Sequence, residues 1–298
     1  VYAITGASGN VGKRVSEILL EEGKKVRVIG RNEARLRPLV EKGAEPWRGS
    51  VDDAEFLTKA FEGASAVFAM IPPNKKAENM RAQQGRVGEV IATAIAKAKV
   101  RHVVDLSSLG AELPEGTGPV LGLHDQEERL NGISGVNVLH LRPTFFMENL
   151  FSGIPMIRKM GVNGSGLEAD LKIPVIATRD VAEAAAASLL RLDFPHGAVK
   201  ELLGERDISM NEMTAIIGKA IGRENLLYVQ VPYADLEEIL AAMGLSRDVA
   251  RSYVELSKAF NDGLIGSGVT PRTAENTTGT SFEEFSKRFA EAYSASAA

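Results

Sequence analysis

The 298-residue chain contains no cysteine. This excludes disulfides, a thiolate nucleophile and cysteine-bound zinc, and it suits a reducing compartment without requiring one. Nor is there an excess of positive charge, since 35 Lys and Arg against 39 Asp and Glu leave a formal charge of -4. Nucleic acid demands a basic footprint, so no direct nucleic-acid partner is expected. No apolar run is long enough to cross a bilayer, and no membrane partner is expected either. Val1 opens almost directly on a strand-like run, which leaves no room for a signal peptide ahead of it, and the expected localisation is cytoplasmic. What is present, 44% hydrophobic and 25% charged residues, is the composition of a folded protein with ample core.

The first half alternates strand-like and helix-like segments at short intervals, the pattern of βαβ units feeding a parallel sheet. Apolar runs at Val1–Thr5, Lys24–Ile29, Ala44–Trp47, Ala66–Ile71, His102–Ser107 and Gly135–Leu141 predict six strands. Helices are expected over Val11–Leu20 and Arg31–Lys42, and another through Phe61 opened by Ser50 with Asp53 three residues on. A longer one places Val87, Ile91, Ala94, Ile95 and Ala98 on one face. After Pro143 the rhythm loosens. Gly161–Gly166 reads as a loop, Leu171–Ile176 as a short strand and Asp180–Leu190 as a helix. Ser209 and Glu212 have the spacing of a capping box for a helix to Ile221, and Leu226–Val231 reads as a strand. Two helices follow between Asp235 and Asn261, and a last one is capped by Ser281 and Glu284.

The fold class is therefore α/β: a Rossmann-type doubly wound parallel sheet with helices on both faces, and a smaller C-terminal α+β cap. Residues 1–152 are expected to form the dinucleotide-binding domain, with 171–206 returning to it; 153–170 and 207–298 form the cap.

The strongest motif is Thr5-Gly6-Ala7-Ser8-Gly9-Asn10-Val11-Gly12, set between the first predicted strand and the first predicted helix. A side chain at Gly6 would hinder the tight turn, one at Gly9 would hold the backbone off a pyrophosphate, and one at Gly12 would separate helix from strand. The helix start then offers free N–H groups to phosphate. Gly6, Ala7, Ser8, Gly9, Asn10, Val11 and Gly12 are thus candidate cofactor-binding residues. The second strand ends in Ile29-Gly30-Arg31-Asn32, with no Asp or Glu to accept from a ribose hydroxyl. A guanidinium at Arg31 can grip a 2′-phosphate bidentately, which favours NADP(H) over NAD(H).

The reaction is not written in such a turn. None of the five tyrosines has a lysine four residues on, so the Tyr–Lys pair of the short-chain dehydrogenases is absent. Ser107-Ser108 follows the fifth strand, and the helix beyond it carries His124-Asp125-Gln126-Glu127-Glu128. His124 is the candidate general acid. Glu128 cannot supply the positive charge of a lysine. His102 and His140 fall in predicted strands as satisfied sheet residues, and His196 lies in a Pro-Gly turn. No spacing resembles a metal site. Ser107 has no base in a nucleophile-elbow context, so hydrolase chemistry is not supported.

The chain resembles the NmrA-like branch of atypical short-chain dehydrogenases, which includes type 2 NADPH-dependent quinone oxidoreductases, an azo-dye reductase and redox-sensing regulators. The likeness is carried by the glycine turn, by Gly30-Arg31-Asn32, and by the segments Val67–Pro73, Leu106–Ala111, His124–Leu130 and Leu141–Asn149. Arg179–Ala182 and Phe282–Phe285 extend it toward the end. The resemblance implies that Met70, Ile71 and Pro72 line the adenosine and ribose side. It implies that Ser107 and Ser108, with the loop from Pro143 through Phe145 and Phe146, surround the nicotinamide. Ser108, Phe146 and Asn149 are expected on the acceptor's side. Ser50 stands where related chains often carry Asp near the adenine, and Asp52 is the candidate in its place.

The activity expected is hydride transfer from NADPH to a planar, electron-poor small molecule such as a quinone. Such an acceptor yields a delocalised anion that needs no Tyr–Lys proton donor. An azo compound or activated double bond fits the same site. The alternative is an NADP-sensing regulator without catalysis.

Overall fold

The protein is described here from a computed structural model covering residues 1–266 and 270–296. Apolar residues alternate to both faces of each early strand, as they must where helices cover a parallel sheet on both sides. In chain order the elements are β1 (Tyr2–Ile4), α1 (Asn10–Glu21), β2 (Val26–Gly30), α2 (Glu33–Val40), β3 (Glu45–Arg48), α3 (Ala54–Phe61), β4 (Ala66–Ala69), α4 (Met80–Lys97) and β5 (His102–Leu106). They continue with α5 (Leu121–Asn131), β6 (Asn137–Pro143), β7 (Phe145–Phe146), α6 (Ile154–Met160), β8 (Val162–Ser165), β9 (Lys172–Ile176), α7 (Thr178–Arg191) and β10 (Ala198–Leu202). The last are β11 (Asp207–Ser209), α8 (Met210–Ala220), β12 (Leu227–Gln230), α9 (Tyr233–Ala242), α10 (Arg247–Asn261) and α11 (Phe282–Ala295).

Seven parallel strands form the main sheet in the order β10-β6-β5-β4-β1-β2-β3. After β3 the chain crosses back over β1 to place β4, so the strand order reverses beside β1. At such a reversal the loops leaving two neighbouring strands diverge and open a crevice at their carboxyl ends. One face buries Ile4, Val28, Phe68 and Val104 against Val15 and Leu19 of α1 and Val181 and Ala185 of α7. The other buries Ala3, Ile29, Val67 and Val103 against Leu57 of α3 and Ile91 and Ile95 of α4. The expected Rossmann-type sheet is present.

A second core gathers Ile173 of β9, Ile208 of β11, Met213 and Ile217 of α8, Phe260 of α10, and Phe282, Phe285 and Phe289 of α11. Phe151 stacks on Phe289 at 5.8 Å, tying this core to the turn after β7. A three-stranded sheet, β11-β9-β7, and a two-stranded one, β12-β8, belong to this half. Residues 267–269 and 297–298 of the expected cap lie outside the described residues.

Three local expectations are corrected. Gly161–Gly166 is not simply a loop: β8 runs through it, in parallel register with β12 from Val162↔Leu227 to Ser165↔Gln230. Its partner lies sixty-odd residues away, and Asn163 is buried with its amide donating to Thr214 Oγ1 at 2.8 Å. Ser50 does not cap α3. Asp53 does, accepting from Phe56 N at 3.0 Å, while Ser50 donates to Asp52 at 3.1 Å. At the last helix Ser281 accepts from Glu284 N, but the Glu284 carboxylate pairs with Arg179 at 2.8 Å instead of closing a box. The strands β7, β10 and β11 carry no clear sequence signal.

The box at Ser209 does close. Ser209 Oγ accepts from Glu212 N at 3.2 Å, and Glu212 accepts from Ser209 N at 2.8 Å. Ser209→Ala is expected to cost about 1 kcal/mol, the usual worth of such a cap, read as a lowered urea midpoint. An unchanged midpoint would show that α8 is held by its packing alone.

Candidate functional site

The glycine turn sits at the crevice, between the carboxyl end of β1 and the start of α1. Gly6 has φ +63, and a Cβ there would lie 2.2 Å from Met70 Sδ. Gly9 N donates to Gly6 O at 2.9 Å, closing the turn. A Cβ at Gly12 would stand 2.5 Å from Gly6 O, so that glycine lets the helix touch the strand exit. Gly9 differs, because a Cβ there would meet only Gly6 O at 3.3 Å and otherwise point outward. Ser8, Gly9 and Asn10 are exposed, whereas Ala7, Val11 and Gly12 are buried. No side chain caps α1 at Gly9. The first amides of the helix have no acceptor within it, so an open, glycine-floored cradle of N–H groups faces the crevice. A phosphate fits that donor set. Thr5 sharpens the crevice by donating to Phe68 O at 3.1 Å and accepting from Met70 N at 2.9 Å, which pins β1 to β4.

At the end of β2, Arg31 and Asn32 are both exposed. The Asn32 side chain caps α2, accepting from Arg35 N at 3.2 Å. Arg48 lies beside Gly30 in the register of β3, and its guanidinium is 3.7 Å from Glu33. Asp52 is exposed on the rim of a groove of about 720 Å³ lined also by Asn74, Gln83, Arg86 and Val87. Met70 is half-buried over Gly6, and Pro72 is half-buried, but Ile71 is packed into the core with Leu57 and Val87.

Beyond β5, Ser107 is buried and Ser108 is half-buried, donating to Leu109 O at 3.0 Å. Ser107 donates to Glu127 of α5 at 2.5 Å. Arg142 of β6 grips the same carboxylate from Nε at 3.0 Å and Nη2 at 2.6 Å. Beneath this group the buried Asp105 and His140 meet at 3.0 Å, Oδ2 to Nδ1, and the other ring nitrogen, Nε2, lies 3.0 Å from Oδ1 of the exposed Asn131. Burial pushes the Asp105 carboxyl up, against the lowering effect of His140. His124 is half-buried and donates from Nδ1 to Ala111 O at 2.8 Å, which leaves Nε2 as its other nitrogen.

Pro143 is buried, and the two phenylalanines after it part company. Phe145 meets Phe260 edge-on at 6.5 Å on the side of the second core, while Phe146 packs against the core of the main sheet. Asn149 is exposed in the turn that follows.

Sequence reasoning missed Glu127 and Arg142. Glu128, four residues from His124, is exposed; its neighbour is the buried one. The available signal was the alternation His140, Arg142 on one face of β6, two polar residues where a buried strand should be apolar. Among the described residues no group of three His, Cys, Asp or Glu is placed to hold a metal ion, and no helix is long and apolar enough to cross a membrane.

A doubly wound sheet with this turn at its switch point defines a dinucleotide-binding protein of the α/β class. Residues 2–286 match the NmrA-like family, and the chain belongs to it. It is 31% identical over 220 residues to the (4-alkanoyl-5-oxo-2,5-dihydrofuran-3-yl)methyl phosphate reductase of Streptomyces griseus, covering 74% of this chain and 73% of that one. It is 27% identical to the NAD(P)H azoreductase of Xenophilus azovorans over 98% of this chain and 99% of the relative. The fold is shared with the NADPH complex of quinone oxidoreductase QOR2 from Escherichia coli, at a TM-score of 0.79 and 24% identity, over 97% and 99% of the two chains. It is also shared with the NADP(H) complex of Citrobacter triphenylmethane reductase, at a TM-score of 0.78 and 19% identity, over 97% and 100%.

Proposed function

We propose that the protein passes hydride from NADPH to a planar, electron-poor small molecule, a quinone or an azo compound. The observation that carries this is the open cradle at Gly9, followed by an exposed Arg31 where NAD-binding sites commonly place an acid. When bound, NADPH would supply two electrons and a hydrogen nucleus as hydride, the medium a proton. Gly6, Gly9, Gly12 and the first amides of α1 hold the pyrophosphate. Arg31 takes the 2′-phosphate and Asp52 the adenosine side. Ser107, Pro143 and Phe145 approach the nicotinamide, and Ser108, Phe146 and Asn149 stand on the acceptor's side. Residues 153–170 and 207–298 serve as the cap that selects the acceptor. His124, as the imidazolium after taking a proton from the medium, is the candidate for protonating the reduced product from Nε2. The relatives named as azoreductase and quinone oxidoreductase support a flat acceptor.

The test is NADPH absorbance, with NADH in parallel, in the presence and absence of a simple benzoquinone. Rapid protein-dependent loss is expected. If NADPH binds and no quinone, azo dye or enone consumes it, the chain is a cofactor sensor instead. Arg31→Ala is expected to weaken NADPH binding about 10- to 100-fold, the worth of charge-assisted hydrogen bonds to phosphate, and to leave NADH almost unchanged. Equal loss for both cofactors would remove Arg31 from the 2′-phosphate.

A further inference from the structure

Beneath α5 lies a polar group to which the hydride reaction assigns no task. Its centre is the Glu127 carboxylate, which accepts from Arg142 Nε and Nη2 and from the Ser107 hydroxyl. Glu112 holds the remaining edge of the guanidinium, 3.0 Å from Nη1. Burial pushes the Glu127 carboxyl up, but the hydrogen bonds from Arg142 and Ser107 outweigh it and hold the group below the ordinary glutamate range. An ionised carboxylate accepts and cannot donate. The direction of the Ser107 bond follows: its hydrogen points at Glu127, and only oxygen lone pairs remain for any other partner. The Ser107 backbone N–H is also committed, donating to Leu141 O at 2.8 Å.

We propose that Glu127 is a positioning residue that turns Ser107 into a hydrogen-bond acceptor, so that the site selects planar acceptors carrying an N–H or O–H beside the group that is reduced. This rests on the reading above, which sets Ser107 beside the nicotinamide. A serine free to donate would welcome a bare carbonyl oxygen. One whose hydrogen is held by a carboxylate sets lone pairs against lone pairs there, and rewards a ligand that brings its own donor. The Arg142 grip is what makes this stable, because it keeps Glu127 ionised and fixed in two dimensions by a bidentate contact.

The test uses menadione and the naphthoquinone in which an amino group replaces its methyl. The two have nearly the same shape and differ in one donor. Calorimetry on the full chain loaded with NADP⁺ gives a Kd for each. The wild type is expected to favour the amino compound by about tenfold, the worth of one good hydrogen bond. Ser107→Ala removes the acceptor, and Glu127→Gln offers an N–H that frees the serine hydrogen. Each is expected to bring the ratio of Kd values close to one, and the double variant to change it no further. A merely structural role would weaken both quinones alike and leave the ratio where it was, which overturns the proposal. Failure of both quinones to bind overturns it too. If Glu127→Gln does not fold, Ser107→Ala carries the test alone. NADPH consumption by the wild type, measured beside these titrations, judges the reading of function separately. A ratio that shifts as expected without turnover keeps the acceptor geometry and removes the enzyme.

Discussion

Gly9→Asp is expected to abolish dinucleotide binding while leaving the protein about as stable as the wild type. The backbone at Gly9 is extended, with φ -96 and ψ 173, which any residue adopts. A side chain there meets only Gly6 O and otherwise points into the crevice. Gly9 is also the N-cap of α1, where aspartate is preferred over glycine by only about a few tenths of a kcal/mol. The carboxylate would accept from the same amides that the pyrophosphate needs, and repel the phosphate as well. A loss of at least about 100-fold in NADPH affinity follows, close to 3 kcal/mol. Gly12→Ala makes the contrast, because its Cβ would press on Gly6 O and Gly6 C at 2.5 and 2.7 Å, backbone atoms with nowhere to go. That variant is expected to lose both binding and about 1–3 kcal/mol of stability, as overpacking does. Calorimetry and a thermal melt on the two variants separate the effects. An aspartate variant that still binds NADPH like the wild type would remove the pyrophosphate from this turn.

The second large effect is expected from Arg142→Ala, and it depends on pH. The side chains of Arg142 and Glu127 are 13% and 6% exposed, so deleting the cation strands a carboxylate in the interior. Breaking such a pair from one side costs roughly 3–5 kcal/mol. In the wild type the folded Glu127 value lies below the ordinary 4.5, through hydrogen bonds that outweigh burial. Its contribution to stability is therefore complete above the unfolded value and is lost as pH falls through the lowered one. Without Arg142 burial dominates, and the folded value rises above the unfolded one. The variant's deficit is then greatest at neutral pH and shrinks as acid neutralises the stranded carboxylate in the folded state. Urea unfolding of both proteins at pH 7.5 and pH 5 checks this. A deficit independent of pH would mean that lost packing of the arginine stem, not the stranded charge, sets the cost.

These two variants probe the two sides of the crevice differently. The glycine side is backbone, so its chemistry depends on what is missing from the side chains. The β5–β6 side is a buried network, Ser107, Glu127 and Arg142, resting on the Asp105–His140 pair. Such networks reward full satisfaction and penalise any single deletion. Both sides are held by regular elements of the main sheet rather than by long loops, which fixes the positions of groups across the crevice.

The sequence by itself determined the α/β class, the glycine turn at its start, the succession of the first six strands along the chain and the membership of the NmrA-like family. It could do so because each of these is a local matter. Strand and helix periods, capping residues such as Ser209 and Glu212, and glycines three apart act over a few neighbouring residues. Only the tertiary structure decided the rest. β8 exists because β12, far along the chain, lies beside Val162–Ser165, and a glycine-rich segment has no strand character until that partner arrives. Phe145 and Phe146 read alike, yet alternation on β7 sends one to the second core and the other to the first. Glu127 and Glu128 are equal as letters, and the turn of α5 over β6 alone makes one a buried partner of Arg142 and leaves the other in water. Burial and pairing are properties of neighbours distant in sequence, and electrostatics in a dry interior follows from them.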